Sequence, residues 1–182
     1  QFPGTTQTPQ QINHRYEVPN FEKRVGNVQS AVLEFEGAYW EKKDLSSFVD
    51  RYSLNTPTVR TIGPDVTPPY PNGVVVEVML DIEYVLSISN GTTPTNFIAQ
   101  GTGHSEPGEI NFAKIIEERV LTAKPIPSTS SISWGYGLQR LQDANELDIM
   151  WSDDAAFMKA GMAGVSVFVA SGDSGAGARS PV

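Results

Sequence analysis

The sequence predicts an α/β domain built on a largely parallel sheet with helices on both faces, and three observations carry that expectation. Strand-like and helix-like segments alternate along the 182 residues, as they do when each parallel strand returns through a helix. At 39% hydrophobic content the chain is long enough for one sizeable core and no more. A glycine-rich run, Ala170-Ser171-Gly172-Asp173-Ser174-Gly175-Ala176-Gly177, follows the apolar stretch 165–169. Open α/β sheets gather functional groups at that place, just beyond the carboxyl ends of their strands.

The elements follow in order. Residues 31–35, Ala-Val-Leu-Glu-Phe, form the first strand, apolar except for Glu34. A helix over 43–52 and a strand over 58–62 come next. The proline-rich stretch from Gly63 to Gly73 is read as a surface connection, with a wall of a substrate cleft as the alternative. It delivers the chain to a helix over 73–88. A strand over 96–100, a helix over 110–121 and a strand over 130–134 follow. The helix over 145–163 is expected to bury Leu147, Met150, Phe157, Met158 and Met162, which recur at loosely helical spacing, and to stop at Gly164. The last strand covers 165–170. Residues 1–8 are expected to be loosely ordered, with His14 near that loose terminus. Nothing repeats at a fixed period, so no solenoid or propeller is indicated.

Charge narrows the function classes. A net charge of -8 and a pI near 4.7 repel nucleic acid and anionic membrane at neutral pH. No apolar stretch is long enough to span a bilayer. The start, Gln1-Phe2-Pro3-Gly4, lacks a charged-then-apolar export pattern, so export would require a leader and any propeptide to have been removed already. With no cysteine a disulfide framework is ruled out, although the compartment stays open. Asn90-Gly91-Thr92 is an N-glycosylation sequon in a polar, turn-like stretch.

Two short constellations carry chemistry. Gly172-Asp173-Ser174-Gly175 has the form of a chymotrypsin-like nucleophile, but that reading needs a histidine base. The chain has two histidines, His14 and His104, and neither lies in the alanine-rich, cysteine-flanked setting of such a base. Ser174 is therefore read as a spacer. A tight turn in which Asp173 caps local N–H groups is the structural alternative. The second constellation is Glu77 and Asp81, four residues apart and so on one helical face. Carboxyls at that spacing share a proton rather than ionise independently, which raises one of them into the range of a base that works in acid. Glu83 turns to another face and is read as solvated. Asp153 and Asp154 are read as a solvated helix face rather than a metal site, and His104 as a loop histidine.

These residues resemble the sedolisins, the serine-carboxyl peptidases. The family's Glu-x-x-x-Asp helix matches Glu77 and Asp81, and its Ser-Gly-Asp-x-Gly turn matches residues 171–175. Thr8 to Ile12 with Tyr16 to Pro19 is similar to the mature start of the catalytic domain, Ala31 to Tyr39 to its first core strand, and Ser131 to Gly135 to a strand ending at the substrate cleft. Tyr136 to Gln139 departs from the family in lacking acidic residues, and the segment before Asp173 is longer than expected, so substrate preference is open.

The resemblance implies a subtilisin-like fold of which residues 1–182 are the N-terminal part of one catalytic domain. It implies an acid-acting peptidase, endopeptidase or tripeptidyl-peptidase, with Glu77 as general base, Asp81 as its support and Asp173 as oxyanion donor. Glu34 would extend the carboxylate chain, with a surface-facing salt bridge as the alternative, and Trp134 would form a wall of the cleft, with an ordinary core aromatic as the alternative. The family's nucleophile lies in a Gly-Thr-Ser motif that does not occur in these residues, and its calcium ligands also lie later, so no metal is expected on this chain. A second chain of the same precursor would supply the serine and the calcium site, and peptides or proteins would be the substrates. A secreted protein, or one from an acidic lysosome- or vacuole-like compartment, fits this reading. The alternatives are an inactive sedolisin-like peptide-binding module and a subtilisin-like hydrolase using His104 at neutral pH.

Overall fold

The computed structural model describes residues 7–19, 26–35, 37–63, 74–99, 110–143, 145–173 and 175, with the side chains of 74, 75 and 140 left aside. Its centre is a five-stranded sheet, β1 (Ser30–Glu34), β2 (Val59–Ile62), β3 (Thr95–Ala99), β4 (Thr129–Ile132) and β5 (Ser166–Val169). The strand order is β2-β3-β1-β4-β5 and every pairing is parallel. One register row, Ile62, Ile98, Leu33, Ile132 and Val169, runs across the sheet near its carboxyl end. Glu34 of the central strand and Ser133 after β4 therefore emerge side by side at that end.

Strand alternation divides the core in two. Ala31 and Leu33 of β1 and Phe35 just after it pack with Ile98, Ile132 and buried residues of the chain from Ile110 on. Val32 of β1, with Phe97 and Ala99 of β3, points the other way, against α2 (Lys42–Tyr52) and α3 (Val74–Ile88). Glu34 has the parity of Val32, so the strand directs its side chain toward α3. Leu45 and Val49 are the buried stripe of α2, and Val78, Ile82 and Leu86 that of α3, each at the four-residue spacing of one helical face.

The opposite face carries α4 (Phe112–Ile115), which continues into a π-helical turn (Ile116–Val120), and α6 (Asp148–Met162). The predicted helix over 110–121 starts at 112 because Asn111 caps it, accepting a 2.7 Å hydrogen bond from the Lys114 N–H. The wide turn is closed by the Leu121 N–H on the Ile116 carbonyl. Asp153 is half-buried rather than solvated, and accepts a 2.9 Å bond from the Ala113 N–H. It ties α6 to the start of α4, where unpaired N–H groups favour a carboxylate.

The expected buried face of α6 is corrected. Ala156 and Ala160 are fully buried, whereas Met158 and Met162 are 65% and 85% exposed and Leu147 and Met150 are also more than a third exposed. Small side chains let the helix close onto the sheet, so the long thioethers turn outward; of the five, Phe157 alone packs against the core.

Two helices lie outside the predicted set. α1 (Pro9–Arg15) has a complete capping box between Thr8 and Gln11, with proline in its first turn. Gln10 donates to the Tyr52 carbonyl and Asn13 to the Ser87 carbonyl, while Tyr84 donates to the Gln7 carbonyl. Gln7 and Thr8 are thus part of the fold, and His14 sits on a helix rather than a loose terminus; residues 1–6 lie outside the described residues. α5 (Leu138–Asp143) is the second, with Gln139 bonded to Asp143 one turn on.

Gly63 ends β2 with φ +122, and a Cβ there would stand 2.4 Å from the Ala99 carbonyl oxygen of β3. Only glycine lets the chain leave this strand pair so close to its neighbour. The rest of the proline-rich connection lies outside the described residues.

Candidate active site

Three elements bring acidic side chains to the carboxyl end of the sheet. β1 supplies Glu34, α3 supplies Glu77 and, one turn on, Asp81. The segment after β5 supplies Asp173, which is exposed among the described residues. The segment leaving β4 adds Ser133 and Trp134.

Glu34 lies at the bottom of the cluster with no solvent exposure. The Trp134 indole Nε1–H donates to its Oε2 at 2.8 Å, and Trp134 is in turn held against Phe35 in an edge-to-face contact at 6.1 Å. Burial pushes the Glu34 carboxyl up to about 8, helped by the negative charges of Asp81 and Glu77 and opposed by the Trp134 N–H. No donor reaches its other oxygen, Oε1, which is buried. With Glu34 protonated, the carboxylic acid is a donor and makes a hydrogen bond to Asp81.

Asp81 is half-buried, and burial raises its proton affinity, while hydrogen bonds from Ser133 and Glu34 lower it. The Ser133 Oγ stands 2.9 Å from Oδ1 and 2.7 Å from Oδ2. Glu77 is raised by partial burial, then by the charge of Asp81, then by that of Asp173. Every influence on Glu77 favours the proton, whereas two donors hold Asp81 toward the anion.

The structure thus brings Glu34, Trp134, Asp81 and Glu77 together, with Asp173 in electrostatic reach of Glu77. His104 and Ser174 lie outside the described residues. His14 is on α1, away from this end of the sheet. Asn90 sits in the turn after α3 with φ 50, a left-handed conformation that asparagine tolerates, and its backbone carbonyl accepts from Asn55.

Sequence reasoning missed Ser133. The available clue was its position two residues beyond Ser131, on the face of β4 opposite Ile132. Glu83 is corrected: it is half-buried rather than solvated, and burial with the nearby charge of Asp44 on α2 pushes it up to about 7.

Two hollows lie apart from the carboxyl cluster. One of about 270 Å³ is bounded by α1 and the ends of α2 and α3, and one of about 260 Å³ lies between α5 and α6. Among the described residues no group of three or more His, Asp or Glu side chains is arranged to hold a metal ion. Among them, too, no helix is long and apolar enough to cross a membrane.

No family model matches the chain. It is 28% identical over 176 residues to kumamolisin of Bacillus sp. (strain MN-32), covering 94% of this chain and 30% of that protein. It is 24% identical over 172 residues to tripeptidyl-peptidase 1 of Canis lupus familiaris, covering 93% of this chain and 29% of that protein. Its fold is that of Pseudomonas sedolisin, a serine-carboxyl proteinase solved with two molecules of pseudo-iodotyrostatin. The TM-score is 0.68 at 19% identity, covering 94% of this chain and 46% of that one. The chain therefore spans under a third of the curated relatives and about half of the solved chain.

Proposed function

From the premise that this chain is related to the sedolisin family of peptidases, we propose that it is the first part of an acid-acting serine-carboxyl peptidase domain. Glu77 is the general base, Asp81 supports it and Asp173 is the oxyanion donor. The serine arrives on a second chain of the same precursor, which also brings any calcium site. The observation that supports this reading is the convergence of Glu34, Asp81 and Glu77 at the carboxyl end of the sheet, all with raised proton affinity.

In the reaction the serine oxygen attacks the peptide carbonyl carbon and its proton passes to Glu77. Glu77 then returns a proton to the leaving amine nitrogen. Asp173 donates a hydrogen bond to the oxygen of the tetrahedral intermediate, a role open only to its protonated form. A histidine, with an ordinary value of about 6.5, would be protonated in acid and unable to serve as base, whereas a carboxylate still can. An acidic compartment or an acidic exterior suits that chemistry.

Uncovered apolar surface supports a domain that continues beyond these five strands. β5 is an edge strand whose Phe168, on the α3 side, is 63% exposed, and Met162 of α6 stands out on the other side. A parallel edge with apolar residues on both faces asks for further strands and helices. Asn90 is read as carrying an N-linked glycan.

The native material should cleave peptides at pH near 4, and Asp173→Ala should lower kcat by about 10²–10³-fold. Full activity of that variant would overturn the assignment, and peptide binding without cleavage would select the inactive module instead. Native mass spectrometry should find a second polypeptide containing Gly-Thr-Ser and a glycan mass that disappears in Asn90→Gln. This chain alone, with no retained partner, would refute the two-chain arrangement.

A further inference from the structure

Ser133 leaves the sheet at the end of β4 with the parity of Ser131, on the side of α3, and its hydroxyl meets both oxygens of Asp81 at 2.9 and 2.7 Å. We infer that Ser133 is a positioning residue: its hydroxyl locks the Asp81 carboxylate in place and keeps it the accepting member of the cluster, leaving proton uptake to Glu77. For its part in catalysis this rests on the peptidase reading above; the contact itself does not.

The groups facing Asp81 come from three directions: Glu34 on β1, Glu77 one turn earlier on α3, and Ser133 beyond β4. Asp173, after β5, acts on Glu77. A carboxylate only accepts, so a cluster of carboxyls has no preferred site for its protons unless donors are placed unevenly. Here they are. Asp81 accepts hydrogen bonds from the Ser133 hydroxyl and the Glu34 acid, while burial and two negative charges act on Glu77 with nothing opposing them. Divergent environments for neighbouring carboxyls separate an acid–base group from its ionised support. Without the hydroxyl, burial of Asp81 is opposed by Glu34 alone, and Asp81 competes with Glu77 for the proton.

The test is a ¹³C-carboxyl titration of the aspartates in the native protein, in wild type, Ser133→Ala and Ser133→Thr. The alanine variant should raise the Asp81 midpoint by about one pH unit, and the threonine variant, which keeps a hydroxyl, should restore it. In the peptidase assay Ser133→Ala should lower kcat by about tenfold with KM unchanged, and should change the acid limb of the rate profile, again with rescue by threonine. An Asp81 midpoint unmoved by Ser133→Ala, or failure of threonine to rescue, overturns the inference. In material that cleaves no peptide the peptidase reading falls, and the Asp81 midpoint still decides the role of Ser133.

Discussion

Glu77→Gln is expected to lower kcat for peptide cleavage by about 10²–10⁴-fold while leaving KM within a few-fold of wild type. Glutamine keeps the length and shape of the side chain and loses the oxygen that takes the serine proton, so the loss falls on the transition state. The pH profile gives a second readout. Burial, Asp81 and Asp173 all raise the Glu77 carboxyl above its ordinary value of 4.5. Activity therefore climbs with pH as Glu77 ionises, and that climb is absent from whatever rate remains in Glu77→Gln. Wild-type kcat in this variant would remove Glu77 from the mechanism.

The folding stability of the native protein is expected to fall as pH rises from about 4.5 to about 8, because of Glu34. In the unfolded chain this carboxyl has its ordinary value of 4.5; in the fold it is pushed up to about 8. Between those values the folded state holds a proton that the unfolded state has released. The contribution is therefore complete below 4.5 and lost as pH approaches 8. At about 1.4 kcal/mol per pH unit, the span is at most about 5 kcal/mol.

Glu34→Gln copies the neutral acid: its carbonyl accepts from Trp134 and its amide donates to Asp81. It should match wild type at pH 4.5 and lose most of the decline toward pH 8, the remainder belonging to Glu83, Asp81 and Glu77, which shift in the same direction. Glu34→Ala leaves a cavity and an unpaired Trp134 N–H, costing about 2–4 kcal/mol against Glu34→Gln at every pH, and against wild type at pH 4.5 and below. Urea denaturation of the three proteins across this range is the measurement. The same pH slope in wild type and Glu34→Gln would show that Glu34 does not hold the proton.

Much of the site was legible because its information is local. The four-residue spacing of Glu77 and Asp81 fixes them on one helical face, and the Ser-Gly-Asp turn had to follow a strand. What was misread depended on other elements. Asp153 looked solvated because its partner, the Ala113 N–H, lies 40 residues away. Glu83 looked solvated because the packing of α2 beside α3 sets its burial. The methionines of α6 looked like core because transfer energy favours them over alanine, yet the closeness of helix and sheet admits only Ala156 and Ala160. α1 was readable from Thr8, Pro9 and Gln11, whose capping box went unused.

By itself the sequence determined the alternation of strands and helices, the helical pairing of Glu77 with Asp81 and the likeness to a family of peptidases. Only the tertiary structure decided that β1 is central, that Glu34 faces α3 and that Ser133 meets Asp81. Periodicity is a property of each segment, written in neighbouring residues. Proton affinity depends on burial, on charges from β1, α3 and the turn after β5, and on donors from the segment after β4, and those meet only when the sheet is assembled.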